Sequence, residues 1–164
     1  MGFSTVDRRA FYKQIKAGDE VPPLERTAEL EGYKLPELFG GFELATDDAT
    51  AEEKARSLGV ESIHTSKVFG GPYMLQFISE MITEWLPNPK GWVEGGRLSA
   101  NFIKLVRFNE RIICRGKVKK KEKEGARNCL ICDVWIENAE GEKVVVGEAM
   151  ILLPQTLDSP RPSI

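Results

Sequence analysis

The chain holds a single histidine, His64, and imidazole is the side chain whose charge changes near neutral pH. It sits in a loop leading into an apolar helix, which makes it the first candidate for moving a proton. Glu80 lies further along that helix and can serve as its carboxylate partner, although it falls nearly opposite the apolar stripe, where a solvated carboxylate is the default. Asp47 and Asp48 are candidate general bases. They stand before the segment ATAEEKARSLG, so their stronger reading is as helix caps that complement the dipole. Glu43 is a further loop carboxylate. Tyr73, beside the helix start, either presents its hydroxyl to a carbonyl or packs its ring in the core. Cys129 and Cys132 have the spacing of a redox or zinc pair. On a strand, however, residues three apart point to opposite faces, so no metal site is expected.

These residues are positioned by the stretch FGGPYMLQFISEMITEWL at 69–86. Steps of 100° place Met74, Phe77, Ile78, Met81, Ile82 and Trp85 on one stripe, with Gln76, Ser79, Glu80, Thr83 and Glu84 opposite. Pro72 suits a first helical turn, and Asn88 and Pro89 stop the helix. Upstream, residues 6–16 predict a short helix and Val21–Leu24 an extended segment; ERTAEL starts either a helix or an edge strand. PNPKGWVEGG, after the helix, reads as turn. Strands are expected at Arg97–Leu105, Arg111 to about Lys121, Asn128–Glu137 and Lys143–Leu153, joined by short turns in an antiparallel meander. The pattern is α+β: one long central helix and a curved antiparallel sheet wrapped around it. One domain over residues 1–153 and a loose proline-rich tail over 154–164 are expected.

Composition narrows the class. A net charge of −2 argues against a nucleic-acid binder. No apolar run approaches the roughly 20 residues of a membrane span. Three cysteines and an N-terminus without an apolar signal core fit a reducing cytoplasm. The run KVKKKEK at 117–123 reads as a solvated hairpin tip. Unpaired sheet edges and the apolar helix predict association with a second chain.

Several phrases, in order, resemble the MaoC-like enoyl-CoA hydratases and dehydratases of the hotdog superfamily. They are YKQIKAGDEVPPLER at 12–26, TDDATAEEKARSLG at 46–59, GGPYMLQFISEMITEWL at 70–86, LVRFNERIICRGKV at 105–118 and WIENAEGEKVVVGEAMI at 135–151. The resemblance implies a hotdog domain that acts on or binds an enoyl- or 3-hydroxyacyl thioester, either acyl-CoA or acyl-carrier. Coenzyme A enters as part of the substrate, with no other cofactor. The thioester carbonyl is expected at the helix N-terminus, where Gly70 and Gly71 allow close backbone approach. The family's D-x-N-P-x-H signature falls on GGFELA at 40–45, so Gly40 stands at the aspartate and Ala45 at the histidine. Neither transfers a proton. Fatty-acid dehydratases of the superfamily place a His before G-x-P-x-M and a Glu later on the helix. His64, Gly70–Met74 and Glu80 follow that order at longer spacing. Three readings follow: relocated acid–base residues, the noncatalytic half of a heteromeric hydratase beside a partner that has the dyad, or a thioester-binding protein. Association as a homodimer or as a heteromer with another hotdog chain is implied, and a thioesterase is a further possibility because the superfamily hosts both reactions. Arg97, Lys104 and Arg107 are the cations available to the phosphates of coenzyme A.

Overall fold

The structure, a computed structural model, describes residues 11–28, 68–69, 71–107, 109–125 and 127–153. A helical turn at residues 11–14 leads to β1 (Glu20–Thr27). After β2 (Val68–Phe69) come α1 (Gly71–Trp85) and α2 (Lys90–Gly95). Five strands follow: β3 (Arg97–Phe102), β4 (Val106–Arg107), β5 (Arg111–Glu124), β6 (Arg127–Glu137) and β7 (Lys143–Leu152). One antiparallel sheet has the order β1-β5-β6-β7-β3, and β2 pairs with β4 in a separate two-stranded ladder.

Helix α1 lies on the sheet through the stripe that its periodicity defines. Met74, Phe77, Ile78, Met81 and Ile82 are buried, and Ile78 and Ile82 expose nothing. Trp85 is only half-buried, its ring edge-on to Phe11. Opposite them stand alternate residues of the strands: Ile112, Cys114 and Val118 on β5; Leu130, Cys132, Val134 and Ile136 on β6; Val145, Ala149 and Ile151 on β7. Each large apolar side chain so buried contributes about 1.5–3 kcal/mol. The opposite face of the sheet carries a smaller cluster of Cys129, Ile131 and Leu152. Cys129 and Cys132 are therefore buried in different clusters on opposite faces of β6, as alternation requires.

Four expectations need correction or extension. The segment ERTAEL contributes to an edge strand: β1 runs to Thr27 and pairs only with β5 among the described strands. Its register slips between Val21 and Leu24, where Pro22 and Pro23 have no N–H to donate. The stretch read as turn, PNPKGWVEGG, contains α2. Trp92 is buried there, its indole N–H donating to Ser79 Oγ at 3.0 Å, and Asn88 Oδ1 accepts the Lys90 N–H at 3.0 Å. The strand expected over 97–105 stops at Phe102, because the backbone N–H groups of Ile103 and Lys104 both turn to Val144 O. The chain then pairs briefly with β2 instead. Finally, only β5, β6 and β7 form a meander; β3 lies beyond β7, at the far edge.

Turns follow the residue types. Asn109 adopts φ 64° and Gly141 φ 80°, and the Asn138 side chain accepts the backbone N–H groups of Glu140 and Glu142. No helix among the described residues is long and apolar enough to cross a membrane.

Candidate functional site

The start of α1 is where ligand chemistry was expected. The helix opens at Gly71, and its first turn carries no acidic side chain, so the positive end of the dipole is not offset there. Beside it, β2 delivers the chain and is held by β4, with Val68 opposite Arg107 and Phe69 opposite Val106. The Phe102 ring lies over Gly71: a Cβ at that position would come within 2.9 Å of Phe102 Cε1. Glycine thus lets the ring approach closely, and a side chain here would push the half-exposed ring aside. Tyr73, in the same turn, is only 8% exposed and belongs to the core cluster.

Glu80 sits on the half-buried flank of α1 and accepts a hydrogen bond from Arg26 Nη2 of β1 at 2.5 Å, with Glu84 3.6 Å from the same nitrogen. Glu80 is thereby spent on joining helix to sheet. The Arg26 guanidinium is held above its ordinary pKa by that hydrogen bond. Beneath them the Cys114 thiol is pushed up to about 12, mainly by burial and then by the Glu80 charge. Cys132 is likewise pushed up to about 12 by burial, then by Asp133. Neither thiol is available as a thiolate nucleophile. Among the described residues no group of three or more His, Cys, Asp or Glu side chains is placed to hold a metal ion.

His64, Asp47, Asp48, Glu43 and Gly70 lie outside the described residues, as do Gly40 and Ala45. Of the remaining candidates, Gly71 and Tyr73 share the first turn of α1, while Glu80 lies further along the helix with Arg26.

Leading away from the helix start is a segment whose cations, Lys104 and Arg107, the sequence marked but whose exposed apolar residues it did not. Phe102, Ile103 and Leu105 are 48%, 54% and 59% exposed. Leu105 lines a solvent-open cleft of about 530 Å³, together with Lys104, Arg107, Glu110, Glu140 and Glu142. Lys104 Nζ donates to Glu142 Oε1 at 2.6 Å, which with Asn138 holds the Glu142 carboxyl below its ordinary pKa. The signal is present in the sequence: NFIKL at 101–105 puts apolar residues on both faces of a strand.

No family model matches the chain, and no curated protein matches it. Solved structures do. R-hydratase PhaJ1 from Pseudomonas aeruginosa is similar at 19% identity and a TM-score of 0.59, with 93% of this chain and 95% of that one covered. The MaoC-like dehydratase from Rhodospirillum rubrum is similar at 17% identity and a TM-score of 0.60, covering 86% and 94%. The C-terminally truncated HadBC complex, a 3R-hydroxyacyl-ACP dehydratase from Mycobacterium tuberculosis, is similar at 14% identity and a TM-score of 0.60, covering 86% and 99%. Likeness of this extent, over most of the chain, establishes that the chain has an α+β hotdog-like fold.

Proposed function

We propose that the protein binds an enoyl- or 3-hydroxyacyl thioester as a MaoC-like hydratase/dehydratase does, and that it hydrates such a substrate poorly or not at all by itself. The observation that carries this reading is the fold's likeness, over most of the chain, to an R-hydratase and to dehydratases. The glycine-opened start of α1, with no acidic side chain in its first turn, supports it: backbone N–H groups and the helix dipole favour an oxygen gaining negative charge. Gly40 and Ala45, at the positions matched to the proton-transferring aspartate and histidine, support the weak hydration. In this reading the five-stranded sheet curves about α1, residues 1–153 form the single domain and 154–164 a tail, and the protein works in the cytoplasm.

The second reading is a noncatalytic subunit whose partner supplies the acid–base pair. It is favoured by the likeness to HadBC, a dehydratase crystallised as a complex. Another hotdog chain that carries the pair fills that role, since a second copy of this chain has the same Gly40 and Ala45. The test is hydration of crotonyl-CoA by the purified chain, alongside a binding titration. Binding with little or no turnover is expected. Failure to bind any acyl thioester would overturn the reading. Ready turnover abolished by His64→Ala would relocate the acid–base work to His64. Turnover untouched by His64→Ala and Glu80→Gln would assign it to Asp47, Asp48 or Glu43.

A further inference from the structure

Five arginines have described side chains, and four are engaged. Arg26 bonds Glu80, Arg111 bonds Glu25 and Arg115 bonds Glu137; Arg97 also has a partner. Arg107 is the exception. Its backbone is bonded, the N–H donating to Glu110 Oε2 at 3.0 Å and the carbonyl accepting the Glu110 N–H at 3.2 Å, but its guanidinium has no ion pair or hydrogen bond among the described residues. A planar fork of donors left open in a cleft suits a phosphate, which it can engage with two parallel bonds.

The setting points the same way. Arg107 stands opposite Val68, three residues before Gly71, which puts it within roughly 15 Å of the helix start by strand spacing and chain reach. Between the two ends runs exposed apolar surface: Phe102 on Gly71, then Ile103, then Leu105 in the cleft. Of the four large apolar residues that the described structure leaves exposed, three lie on this short run, and the other is Val93 on α2. A ligand with a reactive carbonyl at one end, a mostly apolar arm and an anionic head matches that sequence of surfaces. Carboxylates also line the cleft. Glu142 is paired with Lys104, whereas Glu110 accepts only the neutral Arg107 backbone N–H and Glu140 is exposed with no side-chain partner among the described residues, so both of these charges oppose an anion.

We infer that the cleft between the β3–β5 connection and the β6–β7 hairpin holds the phosphate end of a phosphopantetheine thioester, with Arg107 as its contact and Glu140 as an opposing charge. This rests on the acyl-thioester reading and adds to it the residue that recognises the head group. The experiment compares three crotonyl thioesters by titration calorimetry at low salt: of coenzyme A, of 4′-phosphopantetheine and of pantetheine, which lacks phosphate. Arg107→Gln should weaken the two phosphorylated ligands by roughly five- to tenfold and leave the pantetheine thioester unchanged. Arg107→Lys, which keeps the charge, should retain most of the affinity. Glu140→Gln should tighten the phosphorylated ligands only. A loss confined to the coenzyme A thioester would place its nucleotide, rather than the pantetheine phosphate, at Arg107 and overturn the inference as stated. Equal binding of all three ligands, or phosphorylated ligands indifferent to Arg107→Gln, would overturn it while leaving the acyl-thioester reading standing. Binding of none would remove both.

Discussion

Helix α1 and the run Phe102–Arg107 are both rich in apolar side chains, and the fold treats them in opposite ways. On α1 the apolar residues recur with the helical period, so one face collects them, and five residues of the stripe are buried in one core with side chains of β1, β5, β6 and β7. On the run the apolar residues have no single face to share. Pairing with β7 ends at Ile103 and Lys104, and Phe102, Ile103 and Leu105 are left about half exposed. A period matched to the element buries apolar residues and stabilises the fold; a mismatch leaves surface that a ligand or a partner can use. Departures from local consistency are where function is to be sought.

The sharpest way to break this contrast is Ile78→Ala. Ile78 is fully buried under the sheet, so the change should cost about 2–5 kcal/mol, a large share of the stability of a domain this size. Denaturant unfolding beside Gln76→Ala, from the polar face, reads it. Coincident midpoints for both variants and the unsubstituted chain would mean that α1 is not the core helix.

A smaller effect comes from the outer face of the sheet. Glu137 accepts from Trp135 Nε1 at 2.8 Å and from Arg115 Nε at 2.9 Å, with Lys143 over the same indole. The Trp135 hydrogen bond first, and then Arg115, hold its carboxyl below the ordinary value of 4.5. Because the folded pKa is the lower one, this contribution is complete above about pH 4.5 and is lost as pH falls through the folded value. Solvent exposure limits it to no more than about 1 kcal/mol. Melting curves from pH 7 to pH 3 should therefore show a shallower acid loss for Glu137→Gln than for the unsubstituted chain, and parallel curves would deny the linkage.

The smallest effect is expected on the run itself. Leu105→Ser should move stability by no more than about 0.5 kcal/mol, since Leu105 is 59% exposed. A loss comparable to that of Ile78→Ala would show Leu105 to be part of the core and erase the comparison.

How far these regions could be read from the sequence follows from the same physics. The α1 stripe and the strands β5, β6 and β7 were legible because period and turn residues agree: Gly125 and Gly141 take the positive φ that their turns demand. Helix α2 was not, since glycine and proline dominate KGWVEGG and its surroundings. What makes it a helix is the burial of Trp92 and the fit of Gly91 and Gly95 against Leu152, both tertiary facts. The early end of β3 depends on Val144, forty residues away in the chain. At the site, Gly71 was expected to admit a thioester carbonyl, whereas the neighbour the fold brings to it is the Phe102 ring, which no local pattern announced. Glu80 was rightly placed off the apolar stripe, while its partner Arg26 lies 54 residues upstream, beyond any local pattern.

Pro22 and Pro23 carry a consequence beyond the slip in β1. Of the sheet's two outer strands, one has lost two successive N–H donors, while β3, reading RLSANF, keeps every donor it has. A sheet open on both sides can recruit copies without limit, as fibres do. With one side blunted by proline, β3 is the outer strand that keeps its full row of donors among the described residues, and strand pairing through it alone would join two molecules rather than many. The dipeptide thus works against unlimited strand-to-strand growth.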